Sequence, residues 1–285
     1  MKKIIKKIYY KTKFAFNDMN PMLKESIRIE WACRPKNFGD ILNPVLVSKL
    51  IGKNILNIRA EYYEKEHYLV IGSILQYANK QSIVWGSGFI SSDSQCHEKP
   101  LKVCAVRGPL SRQKLIESGI ECPEVYGDPA LLLPMVYNPK IEKKYKIGII
   151  PHYIDKDNKW IKEIQNTNED ILVIDLINKN PLEVANLILS CERVGSSSLH
   201  GLIVADAYQI PSLWLEFSDS LIIGGHFKFL DYFASIGKNI KKPLLIKTNT
   251  KIEEIIENTQ YIELSIDLNK LIEACPFKIL NNSPL

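Results

Sequence analysis

The sequence predicts a protein of the α/β class in which parallel strands alternate with helices. Short apolar runs rich in Ile and Val, such as KIGII at 146–150, are separated by amphipathic segments of helical length. Buried parallel strands have this composition because helices cover both faces of their sheet. The chain has 285 residues, 46% of them hydrophobic, so it is long enough to bury one large core or two ordinary ones.

Each half of the sequence contains four such strands. In the first half, strands are predicted at 28–33, 68–71, 82–85 and 102–106, and helices at 43–51 and 109–118. In the second half, strands are predicted at 146–150, 171–176, 192–195 and 212–216, and helices at 157–166, 181–190, 199–208, 227–236 and 263–274. The polar stretch NPKIEKKY at 138–145 separates the halves and suits an interdomain linker. We expect two Rossmann-like domains, 1–140 and 141–285, facing each other across a central cleft.

The charge balance favours an anionic molecule or a membrane surface over nucleic acid as a partner. The chain carries 37 basic and 32 acidic residues, a net charge of +5, which is too balanced for a dedicated nucleic-acid binder. Its six cysteines lack C-x-x-C spacing, so we expect free thiols and neither disulfides nor a metal site. With no apolar run of about 18 residues and no signal-peptide pattern, we expect a cytoplasmic location.

The first fourteen residues, MKKIIKKIYYKTKF, combine six lysines with apolar and aromatic side chains. This pattern is typical of a short helix at the membrane interface. A frayed basic tail is the alternative, and the pattern alone leaves both open.

Ligands of open α/β sheets bind beyond the carboxyl ends of the strands, which directs attention to the loops that follow them. In SSSLHGLIVADA at 196–207, Ser196, Ser197 and Ser198 are placed to cap a helix whose N-terminus would seat an anion. His200 would stand beside that anion and could act as a general acid. The alternative is a capped helix whose histidine only hydrogen-bonds the neighbouring domain.

Other loops carry further candidates for substrate binding. Arg107 precedes a predicted helix, where its guanidinium could pair with a carboxylate or phosphate with help from Arg112. A surface or interdomain ion pair is the alternative. Gly86 and Ser87 follow the third strand, where a backbone can approach a ligand closely or simply turn. His152 follows the strand at 146–150 and is a further candidate.

The loop after the first strand offers groups for an acceptor. It contains Asn37, Gly39 and Asp40, and Asp40 could either cap the next helix or accept a proton from a sugar hydroxyl.

Taken in order, these loops resemble the polysaccharide pyruvyl transferase family over about residues 36–236. The segments that carry the resemblance are NFGDILNP (37–44), WGSGF (85–89), AVRGPLSR (105–112), YGDPALLLP (126–134), IGIIPHY (147–153), SSSLHGLIVADAYQIPSLWLE (196–216) and GGHFKFLDYFASIG (224–237). The resemblance implies a fold similar to the two-domain B-type glycosyltransferases. It also implies transfer of pyruvate from phosphoenolpyruvate onto two hydroxyls of one sugar as a cyclic ketal, with release of phosphate.

The resemblance also implies roles for individual residues. His200 would protonate the enol methylene, and Arg107 would grip the phosphoenolpyruvate anion on the side of the C-terminal domain. Leu199 and Lys228 lie in matching segments and join the predicted donor site. Many relatives carry an arginine two residues before the histidine, whereas this chain has Ser198 there. Either Arg112, His152 or Lys228 is expected to replace it, or the anion is expected to depend more on backbone donors.

The expected partners are phosphoenolpyruvate as co-substrate and a sugar of a bacterial capsular polysaccharide or exopolysaccharide, free or lipid-linked. The inner membrane surface is a further expected partner, and no resident cofactor or nucleic acid is expected. Two other functions fit the same loops: a B-type glycosyltransferase that uses a nucleotide sugar, and a catalytically idle carbohydrate-binding member.

Overall fold

Two five-stranded parallel sheets form the framework of the protein. The computed structural model describes residues 2–165, 169–177, 179–217 and 224–280. The ten strands are β1 Ile27–Glu30, β2 Ile55–Ile58, β3 His67–Leu69, β4 Ser82–Trp85, β5 Lys102–Ala105, β6 Ile147–Ile150, β7 Ile171–Val173, β8 Val194–Ser196, β9 Ser212–Phe217 and β10 Leu244–Ile246. The ten α-helices are α1 Lys2–Met19, α2 Phe38–Ile51, α3 Pro109–Glu117, α4 Leu133–Val136, α5 Lys159–Gln165, α6 Pro181–Leu189, α7 Leu199–Ala207, α8 Phe227–Ser235, α9 Ile252–Asn258 and α10 Leu268–Glu273.

The two sheets have the same strand order. The first runs β2-β1-β3-β4-β5 and the second, read from its other edge, runs β7-β6-β8-β9-β10. All of the pairings are parallel. Counted within each sheet the order is 2-1-3-4-5, so the chain reverses direction across the sheet between the first and third strands. Doubly wound sheets bind ligands at that switch point, beyond the carboxyl ends of the strands.

The predicted α/β class is confirmed, and the two sheets are consistent with two Rossmann-like domains. The likeness to B-type glycosyltransferases and the division at residue 140 stay predictions. Residues 138–144 form an irregular connection between the sheets, and the chain's last described segment returns to the first sheet. There Trp85 Nε1 donates to the carbonyl oxygen of Leu271, and Phe277 packs against Tyr68 with ring centroids 4.4 Å apart.

One continuous apolar core joins the two halves. It contains Leu42 and Leu46 of α2, Val184 and Ile188 of α6, and Leu202 of α7, all buried. The backbone connects the halves as well, because Phe38 N–H donates to the carbonyl oxygen of Leu176 at 2.9 Å. The loops at the facing ends of both sheets are therefore held in a fixed relation.

Helix α2 begins at Phe38 and not at residue 43, so Pro44 lies inside the helix and not in its first turn. Proline lacks the N–H that would bond the carbonyl oxygen of Asp40 four residues earlier. The side-chain amide of Asn43 donates to that oxygen at 3.2 Å, which compensates for the missing bond. The earlier start places Gly39 and Asp40 in the first turn of α2.

Candidate active site

A cleft of about 310 Å³ lies where the carboxyl ends of the two sheets face each other. Its walls come mainly from the loops after β1, β3, β6 and β8, which are the strands that flank the switch point of each sheet. The residues that line it include Arg34, Asn37, Asp40, Ser73, Tyr77, His152, Tyr153, Ser198, Leu199, His200 and Lys228. The cleft therefore occupies the position that the topology predicts for a ligand.

His200 lies in the first turn of α7 and reaches across to α2. Its ring packs so closely on Gly39 that a Cβ added there would stand 2.0 Å from Nδ1. The other ring nitrogen, Nε2, is buried 3.7 Å from Asp128 Oδ2, beyond hydrogen-bond distance, and neither atom has a hydrogen-bond partner among the described residues. The His200 side chain is 12% exposed and Asp128 is fully buried. When the imidazole is protonated, this buried carboxylate is the neighbouring group that stabilises its charge.

The start of α7 is open to the cleft. Ser198 is the N-cap residue and no side chain caps the helix, so N–H groups of the first turn remain for a ligand. Ser198 and Leu199 both line the cleft. The predicted anion seat is thus formed by the backbone at the helix end.

The two preceding serines do not cap this helix, which corrects the prediction made for them. Ser196 Oγ donates to the carbonyl oxygen of Ile150 at 3.0 Å. Ser197 Oγ donates to Asp155 Oδ2 at 2.7 Å and accepts from the His152 N–H at 2.8 Å. Both side chains are buried: Ser196 joins the end of β8 to the end of β6, and Ser197 holds the loop after β6, so both shape the cleft without lining it.

Two cationic side chains line the cleft. Lys228, at the start of α8, is largely buried, and burial, followed by the neighbouring Arg107, lowers the pKa of its ammonium to about 8. Arg34 is exposed and lies in the loop after β1. Among the residues that the structure describes, neither has a carboxylate partner within ion-pair distance, which leaves both charges available to an anionic ligand.

The remaining titratable groups of the cleft interact with Lys228. Burial, followed by the charge of Lys228, lowers the pKa of His152 to about 4, so this imidazole is neutral at neutral pH. Burial raises the pKa of the Asp40 carboxyl to about 6. The charge of His200 and a hydrogen bond from the Ala32 N–H both act in the opposite direction. Asp40 lies in the first turn of α2, where Asn37 occupies the N-cap position, so its carboxylate faces the cleft and not a capping site.

Arg107 has a different place from the one that the resemblance implies. Its side chain is fully buried, with Nε donating to Asp231 Oδ2 of α8 at 3.0 Å. Its other nitrogens donate to Ser73 Oγ at 2.7 Å and to the Phe89 carbonyl oxygen at 2.6 Å. The interdomain ion pair, the alternative left open by the sequence, is what the structure shows. Arg107 touches the cleft only through Ser73, which lines it.

Three other predicted donor residues lie away from the cleft. Arg112 donates to the carbonyl oxygen of Cys122 and lies 3.6 Å from Glu124 on the outside of the first sheet. At Gly86, φ is +90° and a Cβ would stand 2.2 Å from Pro129 Cδ, so the glycine permits close packing with that turn. Ser87 is buried, with Oγ donating to the Gly72 carbonyl oxygen at 3.0 Å.

The structure adds cleft residues that the sequence did not single out. Arg34, Ser73, Tyr77 and Tyr153 line the cleft, and the buried Asp128 lies behind His200. Arg34 lies in the loop after the first strand, Tyr153 within IGIIPHY and Asp128 within YGDPALLLP. The sequence therefore indicates these segments but not the roles of these three residues.

Metal ligands and thiols do not define the cleft. All six cysteines are free thiols. No group of three or more His, Cys, Asp or Glu side chains within residues 2–165, 169–177, 179–217 and 224–280 is arranged to hold a metal ion.

Comparison with known proteins decides the family. A model of the polysaccharide pyruvyl transferase family matches residues 1–219. The chain belongs to this family. As a member of the polysaccharide pyruvyl transferases, it is a transferase with a polysaccharide acceptor.

Two relatives extend this finding. The chain is 29% identical over 247 residues to the uncharacterized protein L143 of Acanthamoeba polyphaga mimivirus, covering 81% of this chain and 83% of the relative. It is 26% identical over 250 residues to the succinoglycan biosynthesis protein ExoV of Rhizobium meliloti (strain 1021), covering 81% of this chain and 71% of the relative.

Proposed function

We propose that the protein transfers the pyruvyl group of phosphoenolpyruvate to two hydroxyls of one sugar in an exopolysaccharide or its lipid-linked precursor, forming a cyclic ketal and releasing phosphate. The observation that carries this proposal is the set of groups on one cleft: a histidine backed by a buried carboxylate, two unpaired cations and an uncapped helix N-terminus. Family membership and the similarity to a succinoglycan biosynthesis protein support the same conclusion.

Phosphoenolpyruvate carries a carboxylate and a phosphate, and both must be held in the cleft. Lys228 and Arg34 supply two positive charges, and the N-terminus of α7 supplies backbone donors and a favourable dipole. Arginine pairs with carboxylate or phosphate through two parallel hydrogen bonds, whereas lysine acts as a point charge. These groups take the place of the arginine that relatives carry at position 198.

His200 is the proton donor in this proposal. Nε2 faces Asp128, which leaves Nδ1, on the side of Gly39, as the nitrogen whose proton moves. Its proton goes to the methylene carbon of phosphoenolpyruvate, the carbon–carbon double bond becomes a methyl group and a single bond, and C2 becomes an oxocarbenium-like centre. Asp128 stabilises the imidazolium that must exist before this transfer.

Two sugar hydroxyls then complete the ketal. The first attacks C2 and loses its proton to Asp40, which is ionised above pH about 6 and lines the cleft. Asp40 passes this proton to the phosphate, which leaves as hydrogen phosphate with the electron pair of its C–O bond, and the second hydroxyl adds to C2 while its proton returns to the imidazole. The sum is one phosphoenolpyruvate and one diol converted into one ketal and one phosphate, with no oxidant or reductant.

The test combines two products in one assay. Purified protein is incubated with phosphoenolpyruvate and with soluble or lipid-linked glycosides, and phosphate release is compared with the gain by the sugar of the mass of pyruvate less water. Equal amounts of both are expected. If no acceptor gives phosphate release, and nucleoside diphosphates but not phosphoenolpyruvate raise the melting temperature, a nucleotide-sugar glycosyltransferase would be favoured instead. Acceptor binding without phosphate release would indicate an idle binding protein.

Substitutions at two separate histidines, one inside and one outside the cleft, provide a variant and its control. His200→Ala is expected to lower phosphate release by about 10²- to 10⁴-fold, the usual range for general acid catalysis. His97→Ala removes an exposed histidine outside the cleft and should leave the rate unchanged. An active His200→Ala variant removes this imidazole from the mechanism.

A further inference from the structure

Helix α1 presents an apolar stripe to solvent. The stripe consists of Ile5, Ile8, Tyr9, Phe16 and Met19, whose side chains are between 60% and 82% exposed. Spacings of three, four, seven and eight residues place them on one face of the helix. Large apolar side chains gathered on one exposed face mark an interaction surface.

The opposite face of α1 is anchored to the first sheet. Tyr10 stacks on Tyr62 with ring centroids 5.5 Å apart, and Phe14 is buried against Tyr63. At the end of the helix, Asp18 accepts from Arg28 at 2.9 Å and pairs with a lysine of the same surface. The docked face already supplies the helix with its own core contacts, so the stripe needs an occupant from outside the described chain.

Charge identifies the kind of occupant. The first 17 residues contain six lysines and no acidic residue. Among the described side chains, Lys6 and Lys13 are exposed along one side of the stripe, and Lys11, on the other side, pairs with Glu64 at 2.6 Å. An apolar face flanked by lysines is the pattern of a helix lying in the surface of an anionic bilayer. A second copy of this chain would bring lysines against lysines, which disfavours self-association through this face.

Helix α1 docks near the loop that forms one wall of the cleft. Tyr10 stacks on Tyr62, and the nearby Arg59 donates to Glu30 Oε1 at 2.7 Å and to the Trp31 carbonyl oxygen at 3.2 Å, at the end of β1. Cys33 lies between Ala32 and Arg34, which both line the cleft. A membrane bound to the stripe would therefore lie beside the loop that forms one wall of the cleft.

We infer that α1 lays its apolar stripe into the surface of an anionic phospholipid bilayer and so holds the cleft next to the membrane. No helix among the described residues is long and apolar enough to cross a bilayer, and the inferred contact is with the surface alone. The choice of acceptor follows if the proposed function holds. The contact then makes a lipid-linked sugar the preferred acceptor, because such an acceptor is confined to the same membrane surface.

The full chain is tested by co-sedimentation with vesicles of phosphatidylglycerol and phosphatidylcholine, and with vesicles of phosphatidylcholine alone. Binding is expected only to the anionic vesicles and should weaken as salt is raised, because salt screens the attraction. The double variant Ile8→Ser/Phe16→Ser should bind at least about tenfold more weakly. Its matched control, Leu101→Ser/Leu245→Ser, removes exposed apolar side chains elsewhere and should bind like the original protein.

Charge is tested separately. Lys6→Gln and Lys13→Gln should each weaken vesicle binding about fivefold. Lys99→Gln and Lys102→Gln remove exposed lysines outside α1 and should have no such effect. Equal binding to both vesicle types, unchanged binding of the stripe variant, or a dimer that the stripe variant abolishes without any vesicle binding would each overturn the inference.

Phosphate release separates this inference from the proposed function. With a water-soluble acceptor, the stripe variant should turn over at the original rate; with a lipid-linked acceptor in anionic vesicles, it should be slower. Activity on a soluble acceptor without vesicle binding would overturn the membrane contact and leave the transferase intact. Vesicle binding without phosphate release in the presence of any acceptor would overturn the transferase function and leave the membrane contact intact.

Discussion

The ring of His200 rests on the backbone of Gly39, with Nδ1 only 2.0 Å from where a Cβ would stand. Gly39 belongs to α2 of the first sheet and His200 to α7 of the second. The contact therefore couples the packing of the two halves to the orientation of the proposed proton donor.

Gly39→Ala should push the imidazole out of this position. A real Cβ does not approach another atom to 2.0 Å, and the neighbouring backbone is buried, so the ring must move. We expect phosphate release to fall by about 10²-fold or more, because small misplacements of reacting groups are costly. Steady-state kinetics of Gly39→Ala, His200→Ala and the double variant check this. If both act through the same ring, the double variant is no slower than His200→Ala; additive losses would contradict the interpretation.

Asp128→Asn should slow the reaction without unfolding the protein. Asparagine keeps the oxygen that accepts from the Ala130 N–H at 3.0 Å, but it removes the charge 3.7 Å from His200 Nε2. At that distance and an effective dielectric constant of about 20, a pair of charges is worth about 4 kcal/mol, which sets an upper limit of about 10³-fold on the loss of rate. The measurement is kcat together with its pH profile. A profile that does not change would assign Asp128 to turn structure alone.

Arg34→Gln should weaken phosphoenolpyruvate binding. A hydrogen bond to a charged group is worth about 1.5–3 kcal/mol, so the KM for phosphoenolpyruvate should rise about 10- to 100-fold. Lys36→Gln is the control, because Lys36 lies in the same loop and is exposed but does not line the cleft. Equal effects of the two variants would indicate a general loss of positive charge and no specific contact.

The pH profile of kcat/KM for phosphoenolpyruvate should be bell-shaped. Burial raises the pKa of Asp40 to about 6, so the carboxylate that accepts a proton is present above that pH. Burial lowers the pKa of Lys228 to about 8, so the charge that holds the donor is lost above that pH. The profile should rise through about pH 6 and fall through about pH 8. Lys228→Met should lower the overall value and change the pH at which it falls; a fall that stays near pH 8 would belong to another group.

Arg107→Ala should destabilise the fold. It would leave Asp231 buried without its cation, and such a loss costs about 3–5 kcal/mol of unfolding free energy. Arg112→Ala removes an arginine whose ion pair with Glu124 is 3.6 Å long and exposed, so it should cost less than about 1 kcal/mol. Urea unfolding measures both. A raised KM with unchanged stability in Arg107→Ala would instead support the direct grip on phosphoenolpyruvate that the resemblance implies.

Most elements of the fold could be predicted because their signals are local. Strands such as β4 and helices such as α6 have clear apolar patterns, and Asn180 and Pro181 mark the start of α6. Strands β2 and β10 were not predicted, since they have four and three residues and lie at sheet edges, where a short run carries little periodic signal. The start of α2 was misplaced because Pro44 is typical of a first helical turn, and only the bond from Asn43 to Asp40 explains its position inside.

The candidate site shows the same division. Loops that follow strands can be located in a sequence, which is why His200, His152, Ser198 and Asp40 were selected and do line the cleft. Hydroxyl groups and guanidinium groups have several partners within reach, and the sequence does not rank them. The sequence therefore predicts Ser196 and Ser197 as helix caps, although Ser196 bonds the last residue of β6 and Ser197 bonds the loop after it.

By itself, the sequence determined that parallel strands alternate with helices, that a histidine stands at the start of α7, and that the loops resemble one transferase family. Only the tertiary structure decided which side chains meet: Gly39 with His200, Asp128 behind that ring, and Arg107 turned to Asp231. The reason is physical. Backbone patterns depend on neighbours a few residues away, whereas these contacts join residues far apart in the chain and form only when both sheets pack on one core.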